Sequence, residues 1–167
     1  FCRAYDAIFR QSGILRVEGI DELFNQAIAF AKQPIPKGNR IAIITNAGGP
    51  GIMATDAAIR HSLKIAAFSE ETKQKLKEEL PPTASIQNPV DVIGDATHER
   101  YEAAIRDILV DENVDGAIVI LSPQAMTDIL ETAEIVPHVL KDIDKPVLCS
   151  FMGIVDVSEG VSYLEEH

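Results

Sequence analysis

The chain has 167 residues, a length at which one domain can bury about two thirds of the surface that its unfolded form exposes. Hydrophobic residues make up 46% and charged residues 25%, the balance of a folded soluble domain, which excludes a disordered tail or a low-complexity linker as its main content. The formal net charge of -11 argues against nucleic acid and anionic membrane as partners and is read as a solvated acidic surface, concentrated in stretches such as "SEETKQKLKEEL".

Cys2 and Cys149 are too few and too scattered for a disulfide framework or a metal site, which fits a reducing cytoplasm. No apolar run is long enough for a spanning helix, and no basic segment followed by an apolar one marks a signal peptide. The chain opens on Phe1 without a Met, and Tyr5, Ile8 and Phe9 already stand at helical spacing, so it reads as part of something longer.

In chain order, "ILRV" (14–17) is a candidate short strand. Ile20, Leu23, Phe24, Ala27, Ile28 and Ala31 then form one apolar helical stripe, ended by "PIPKGN". "RIAIIT" (40–45) has the continuous apolar pattern of a buried strand, and a helix is expected over 51–61. "LKIAAF" (63–68) is the next strand, followed by a helix from residue 70 with Ser69 as its N-cap. Residues 81–96, "PPTASIQNPVDVIGDA", form an irregular interval whose length points to function. Thr97 is expected to cap the helix "HERYEAAIRDILVDEN", with Tyr101, Ala104, Ile105 and Ile108 facing inward. "VDGAIVILS" (114–122) reads as a central strand buried on both faces. A helix over roughly 125–142 interrupted by Pro137, a strand over 146–151 and the beginning of a further helix complete the pattern.

This alternation predicts an α/β fold, a three-layer doubly wound and mainly parallel sheet of the flavodoxin type. The strands at 40–45 and 114–122 become neighbours with their following helices on opposite faces, which brings "NAGGPG" and "SPQA" together at one end of the sheet. A final strand is missing from the pattern.

Two turns carry candidate chemistry. Gly48, Gly49 and Gly51 allow the backbone to approach an anion closely at a helix N-terminus, and Pro50 in the first turn loses no needed donor. The pattern matches neither the dinucleotide fingerprint nor the P-loop, and no lysine follows, so it is either a tight corner or an anion site. In "NPVDVIGDA", Asn88 before Pro89 is held extended and Gly94 permits a tight turn. Asp91 and Asp95 are metal ligands or, more simply, turn and cap residues. His61, His98, His138 and His167 have no Cys, Ser or Asp partner at a recognisable spacing, so no catalytic residue and no metal site is assigned.

The stretches "IFRQSGILRVEGIDELF", "PKGNRIAIITNAGGPGIMATDA" and "LPPTASIQNPVDVIGDA" resemble the NDP-forming acyl-CoA synthetases, the ADP-forming acetate-CoA ligases of the succinyl-CoA synthetase superfamily. The resemblance implies the second flavodoxin-like CoA-ligase domain of a synthetase that interconverts acyl-CoA, ADP and phosphate with carboxylate, CoA and ATP through a phosphohistidine. It further implies that Asn46, Ala47, Gly48, Gly49, Pro50, Gly51 and Ile52 hold phosphate or the phosphohistidine, with Asn88, Asp91, Gly94, Asp95 and Ser122 lining the same interface. The family's Ser-His-Thr-Gly loop, CoA-binding domain and ATP-grasp domain have no counterpart in these residues. Those domains are the implied partners, and the implied cofactors CoA, Mg with ADP or ATP, and phosphate belong to the intact enzyme rather than to this domain alone. Two other readings remain: a ligand-sensing domain of a protein lysine acetyltransferase, and a domain that only mediates subunit contact.

Overall fold

The computed structural model describes residues 2–153 and 156–167, which fall into two compact units, residues 1–33 and 34–167. The first unit holds helices α1 (Cys2–Gln11) and α2 (Ile20–Lys32). The expected strand "ILRV" is absent, because its first residue closes α1. Gly13 adopts a left-handed φ of 69°, the Ile14 amide donates to Phe9 O at 2.8 Å, and the Gly13 amide donates to Arg10 O. This is the Schellman pattern of a helix C-terminus, which four apolar residues in a row do not announce.

The second unit is a five-stranded sheet, all of whose paired strands are parallel. Its elements are β1 (Arg40–Thr45), α3 (Gly48–Arg60), β2 (Lys64–Ile65), α4 (Glu70–Glu79), β3 (Val90–Asp91), α5 (His98–Leu109), β4 (Gly116–Leu121), α6 (Ile129–Leu140), β5 (Val147–Phe151) and α7 (Ser158–Glu166). The order is β2-β1-β4-β5, with β3 pairing β1 beyond the end of β2. Ala42, Ile44, Ala117, Val119, Leu121 and Val147 are buried on one face in a core shared with residues of α4, α5 and α6. α3 packs on β1 and β2, and its Gly51 backs onto Thr45, whose place in the strand alternation is the opposite face. The expected α/β architecture, with the helices after β1 and β4 on opposite faces, is therefore observed.

Strand "LKIAAF" is corrected to two residues, because β3 takes over the same side of β1, pairing Val90 with Ile44 and Asp91 with Thr45. Between the two short strands the Asn88 side chain makes the ladder's bonds. Its Oδ1 accepts from the Ile43 amide at 2.9 Å, and its Nδ2 donates to Ile41 O at 2.8 Å and Ala66 O at 3.0 Å. Helix α5 ends earlier than its apolar pattern suggests, since the Asp111 carboxylate turns back to accept from the Asn113 and Ser69 amides. Ser69 caps α4 as predicted, accepting from the Thr72 amide, whereas Thr97 occupies the N-cap of α5 without a side-chain cap bond. Helix α6 begins at Ile129 rather than near 125, because the Thr127 hydroxyl first folds back to accept from the Gln124 amide.

At the N-terminal end of the sheet the Arg40 guanidinium forks onto Asp115, with Nε to Oδ2 at 2.9 Å and Nη2 to Oδ1 at 2.8 Å, and the Arg40 amide donates to the same carboxylate. These bonds hold Asp115 well below the usual carboxylate range, at about 2. A lowered folded-state pKa stabilises the fold above the unfolded value of 3.8, and that stability is lost as pH falls toward 2. Asp115→Asn is therefore expected to be less stable at neutral pH and to lack the part of the acid dependence lying in that window, as read from thermal melts across pH.

Candidate functional site

The site is built where β1 and β4 end. Asn46, only 3% exposed, spends both ends of its amide on Ser122: Oδ1 accepts from the Ser122 amide and Nδ2 donates to the Ser122 carbonyl, each at 2.8 Å. An amide side chain thus adds one more rung to the ladder after the two strands diverge. Thr45 Oγ1 accepts from the Ala47 amide at 3.0 Å and folds the turn. Asn46 and Ser122 are brought together as expected, and their two bonds hold the loop.

Helix α3 starts at Gly48, three residues before the expected Gly51, because the first turn asks nothing of Pro50, whose missing N–H falls where a helix has no acceptor to offer. Ala47 is its N-cap and has no side chain with which to cap. The Gly51 amide reaches Ala47 O at 3.3 Å, but Gly48 and Gly49 precede any intrahelical acceptor. Among the described residues no side chain accepts from either amide. The positive end of the α3 dipole is thereby left with two donors side by side, a chemistry suited to an oxyanion.

The three glycines differ in what surrounds them. A Cβ at Gly51 would lie 3.0 Å from Thr45 Cγ2, so this residue is glycine for packing. One at Gly48 would lie 3.5 Å from Asp91 Oδ2, while one at Gly49 would have nothing within 4 Å. Ile52, 65% exposed, sits one turn further along.

Among the remaining candidates, Asp91 ends β3 opposite Thr45, and its Oδ1 accepts from the Ile93 amide at 2.9 Å. The left-handed residue of this turn is Ile93, with φ of 73°, and not Gly94. A β-branched residue there stores roughly 1–3 kcal/mol of strain. Asp95 turns away to pair with Arg100 of α5 at 2.5 Å, and Asn88 is committed to the sheet. The sequence reading missed β3 and the turn-forming hydroxyl of Thr45. The only legible signal for either was the Asn-Pro that precedes β3.

His98 at the start of α5 bonds through Nδ1 to Asp128 Oδ2 at 3.0 Å, while Nε2 lies 3.6 Å from Glu99 Oε1. These three residues are the one group among the described residues with a metal-ligating composition, each offering one ligand atom within 4.8 Å of the others. The hydrogen bond that His98 donates to Asp128, with the charges of Glu99 and Glu131, raises the His98 pKa against the opposing effect of burial. The stability this pair contributes is complete below the unfolded value of 6.5 and lost as pH rises above it. His98→Gln is expected to lower the melting temperature more at pH 6 than at pH 9. Burial pushes the Cys149 thiol up to about 12 and also raises the Tyr101 hydroxyl, which donates to Ile120 O, so neither is poised as a nucleophile.

The sequence profile of the Ligase-CoA domain matches residues 41–167. An acetate-CoA ligase (ADP-forming) I of Archaeoglobus fulgidus is 42% identical over 94% of this chain and 22% of its own length. The alpha subunit of an acetate-CoA ligase (ADP-forming) II of Pyrococcus furiosus is 42% identical over 90% of this chain and 34% of its own. An acetyl-coenzyme A synthetase 1 of Ca. Korarchaeum cryptofilum, solved in complex with phosphate and ADP, superposes with a TM-score of 0.91 at 31% identity, covering 98% of this chain and 36% of that one. The chain spans about a fifth to a third of the length of these relatives. It belongs to the Ligase-CoA domain family.

Proposed function

We propose that this chain is one domain of an ADP-forming acyl-CoA ligase, and that the first turn of α3 holds the phosphoryl group as it passes through a histidine carried by another domain. The observation that carries this reading is the pair of unmatched amides at Gly48 and Gly49 behind an N-cap that cannot cap. Its support comes from relatives named as ADP-forming ligases and from a neighbour solved with phosphate and ADP.

In the reaction, phosphate attacks the acyl-CoA thioester to give acyl phosphate and free CoA. The histidine then takes the phosphoryl group, releasing the carboxylate, and passes it to ADP. This chain's part is electrostatic. The two amides donate to phosphoryl oxygens and the helix end faces their charge, a contribution of up to about 2 kcal/mol in a partly buried setting. Asn46, Ser122 and Thr45 fix the turn, while Gly49 keeps the approach open. No lysine follows the turn to neutralise a triphosphate, so the nucleotide with its Mg, and CoA, are assigned to the ATP-grasp and CoA-binding domains of the same protein.

The test is to incubate the full-length protein with acetyl-CoA and radiolabelled phosphate and look for acid-labile, base-stable label on the protein that ADP discharges as ATP. Label is expected. Its absence, with ATP as the phosphoryl source also giving none, would overturn the reading.

A further inference from the structure

Asp128 stands at the N-cap of α6, where a carboxylate ordinarily accepts from the first amides of its helix, yet its side chain makes no such bond. It turns instead to α5, where Oδ2 meets His98 Nδ1 at 3.0 Å. Glu99, the next residue of α5, brings Oε1 to 3.6 Å from Nε2 of the same ring. One ligand atom from each of these three residues lies within 4.8 Å of the other two. A zinc ion held at about 2.0–2.2 Å sets neighbouring ligand atoms about 3.4 Å apart in a tetrahedron. The Asp128 and His98 atoms already stand near that spacing, and Glu99, with a side chain 67% exposed, is free to turn toward them.

From this juxtaposition we propose that His98, Glu99 and Asp128 form a binding site for one zinc ion. The ion takes the place of the proton that Nδ1 shares with Asp128, releasing it to solvent, and Glu99 supplies the third protein ligand. A fourth position is left to water. An imidazole nitrogen among the ligands favours zinc over magnesium or calcium, which take oxygen. The two carboxylates match the charge of the ion, and Glu131 in the first turn of α6 adds to the negative field at the ring. Arg100, the neighbouring cation of α5, is turned onto Asp95. A hydrogen bond from the Thr97 side chain steadies the Glu99 carboxylate, as outer partners do for ligating groups. The ion would join the first turn of α5 to the residue that opens α6. It would thereby close off the segment 122–127, whose Ser122 bonds Asn46.

The experiment is equilibrium dialysis of the full-length protein against Zn2+, without nucleotide or CoA, for wild type, His98→Gln, Glu99→Gln and Asp128→Asn. Wild type is expected to bind one zinc ion more than His98→Gln, so zinc sites elsewhere in the protein cancel in the comparison. Glu99→Gln and Asp128→Asn, which keep size and shape, are each expected to weaken that ion by at least about 10-fold. An about 100-fold excess of Mg2+ is expected to leave it bound. Equal zinc stoichiometry in wild type and His98→Gln overturns the proposal. So does unchanged affinity in either carboxamide variant, which would mean that the imidazole binds zinc without that carboxylate. Displacement by Mg2+ also overturns it, because the cluster would then be a diffuse acidic patch.

Discussion

Valine at Gly49 is expected to cut histidine phosphorylation in the full-length protein by about 100-fold to 1000-fold while leaving its melting temperature unchanged. The two halves of that expectation come from one observation. A Cβ at Gly49 meets nothing within 4 Å, so the branched side chain enters open space and costs the fold nothing. That open space is the approach to the Gly48 and Gly49 amides, and filling it removes preorganised donors from the developing charge. Gly51→Val is the contrasting control. Its Cβ would press on Thr45 Cγ2 and Pro89, so activity and stability should fall together. A Gly49→Val protein with full labelling activity would leave the α3 turn a structural corner.

Asn88→Ala is expected to produce the largest loss of stability, about 3 kcal/mol and a fall of roughly 10 °C in Tm. Truncation removes three hydrogen bonds at once and strands the Ile43 amide, on a residue that is fully buried, together with the Ala66 carbonyl. Asn88→Asp should rescue little, since its second oxygen would face the Ile41 and Ala66 carbonyls, both acceptors. Differential scanning calorimetry checks both variants, and an Asn88→Ala melt within a degree of wild type would show that water replaces the side chain at no cost.

The same residue marks the boundary of what the chain's pattern reveals. β1 and β4 were legible because strands buried on both faces are apolar throughout, and the inward face of α5 was legible because Tyr101, Ala104, Ile105 and Ile108 repeat at helical spacing. Ser69 was legible as a cap because its bond to the Thr72 amide is local. β3 was not, since a two-residue strand has no periodicity and exists only through its pairing with Ile44 and Thr45. Asn88 signalled a turn, while its bonds reach residues 22 to 47 positions away. The Arg40 and Asp115 fork joins positions 75 apart, each unremarkable in its own surroundings.

Within the candidate site the glycine turn was visible, but the division of labour inside it was not. Composition treats Gly48, Gly49 and Gly51 alike. Only the packing of Thr45 against Gly51, of Asp91 against Gly48 and of nothing against Gly49 separates a packing residue from an open one. Asn46 also joins the ends of two strands, its amide atoms bonding the Ser122 backbone across 76 positions that no local pattern links.

The central claim is that the Gly48 and Gly49 amides receive an oxyanion. Selective 15N-glycine labelling of the full-length protein, followed by titration with inorganic phosphate, observes those two groups directly. The account predicts saturable shifts at Gly48 and Gly49 that are lost in the Gly49→Val protein. Phosphate-induced shifts at other glycines with Gly48 and Gly49 unmoved would contradict it.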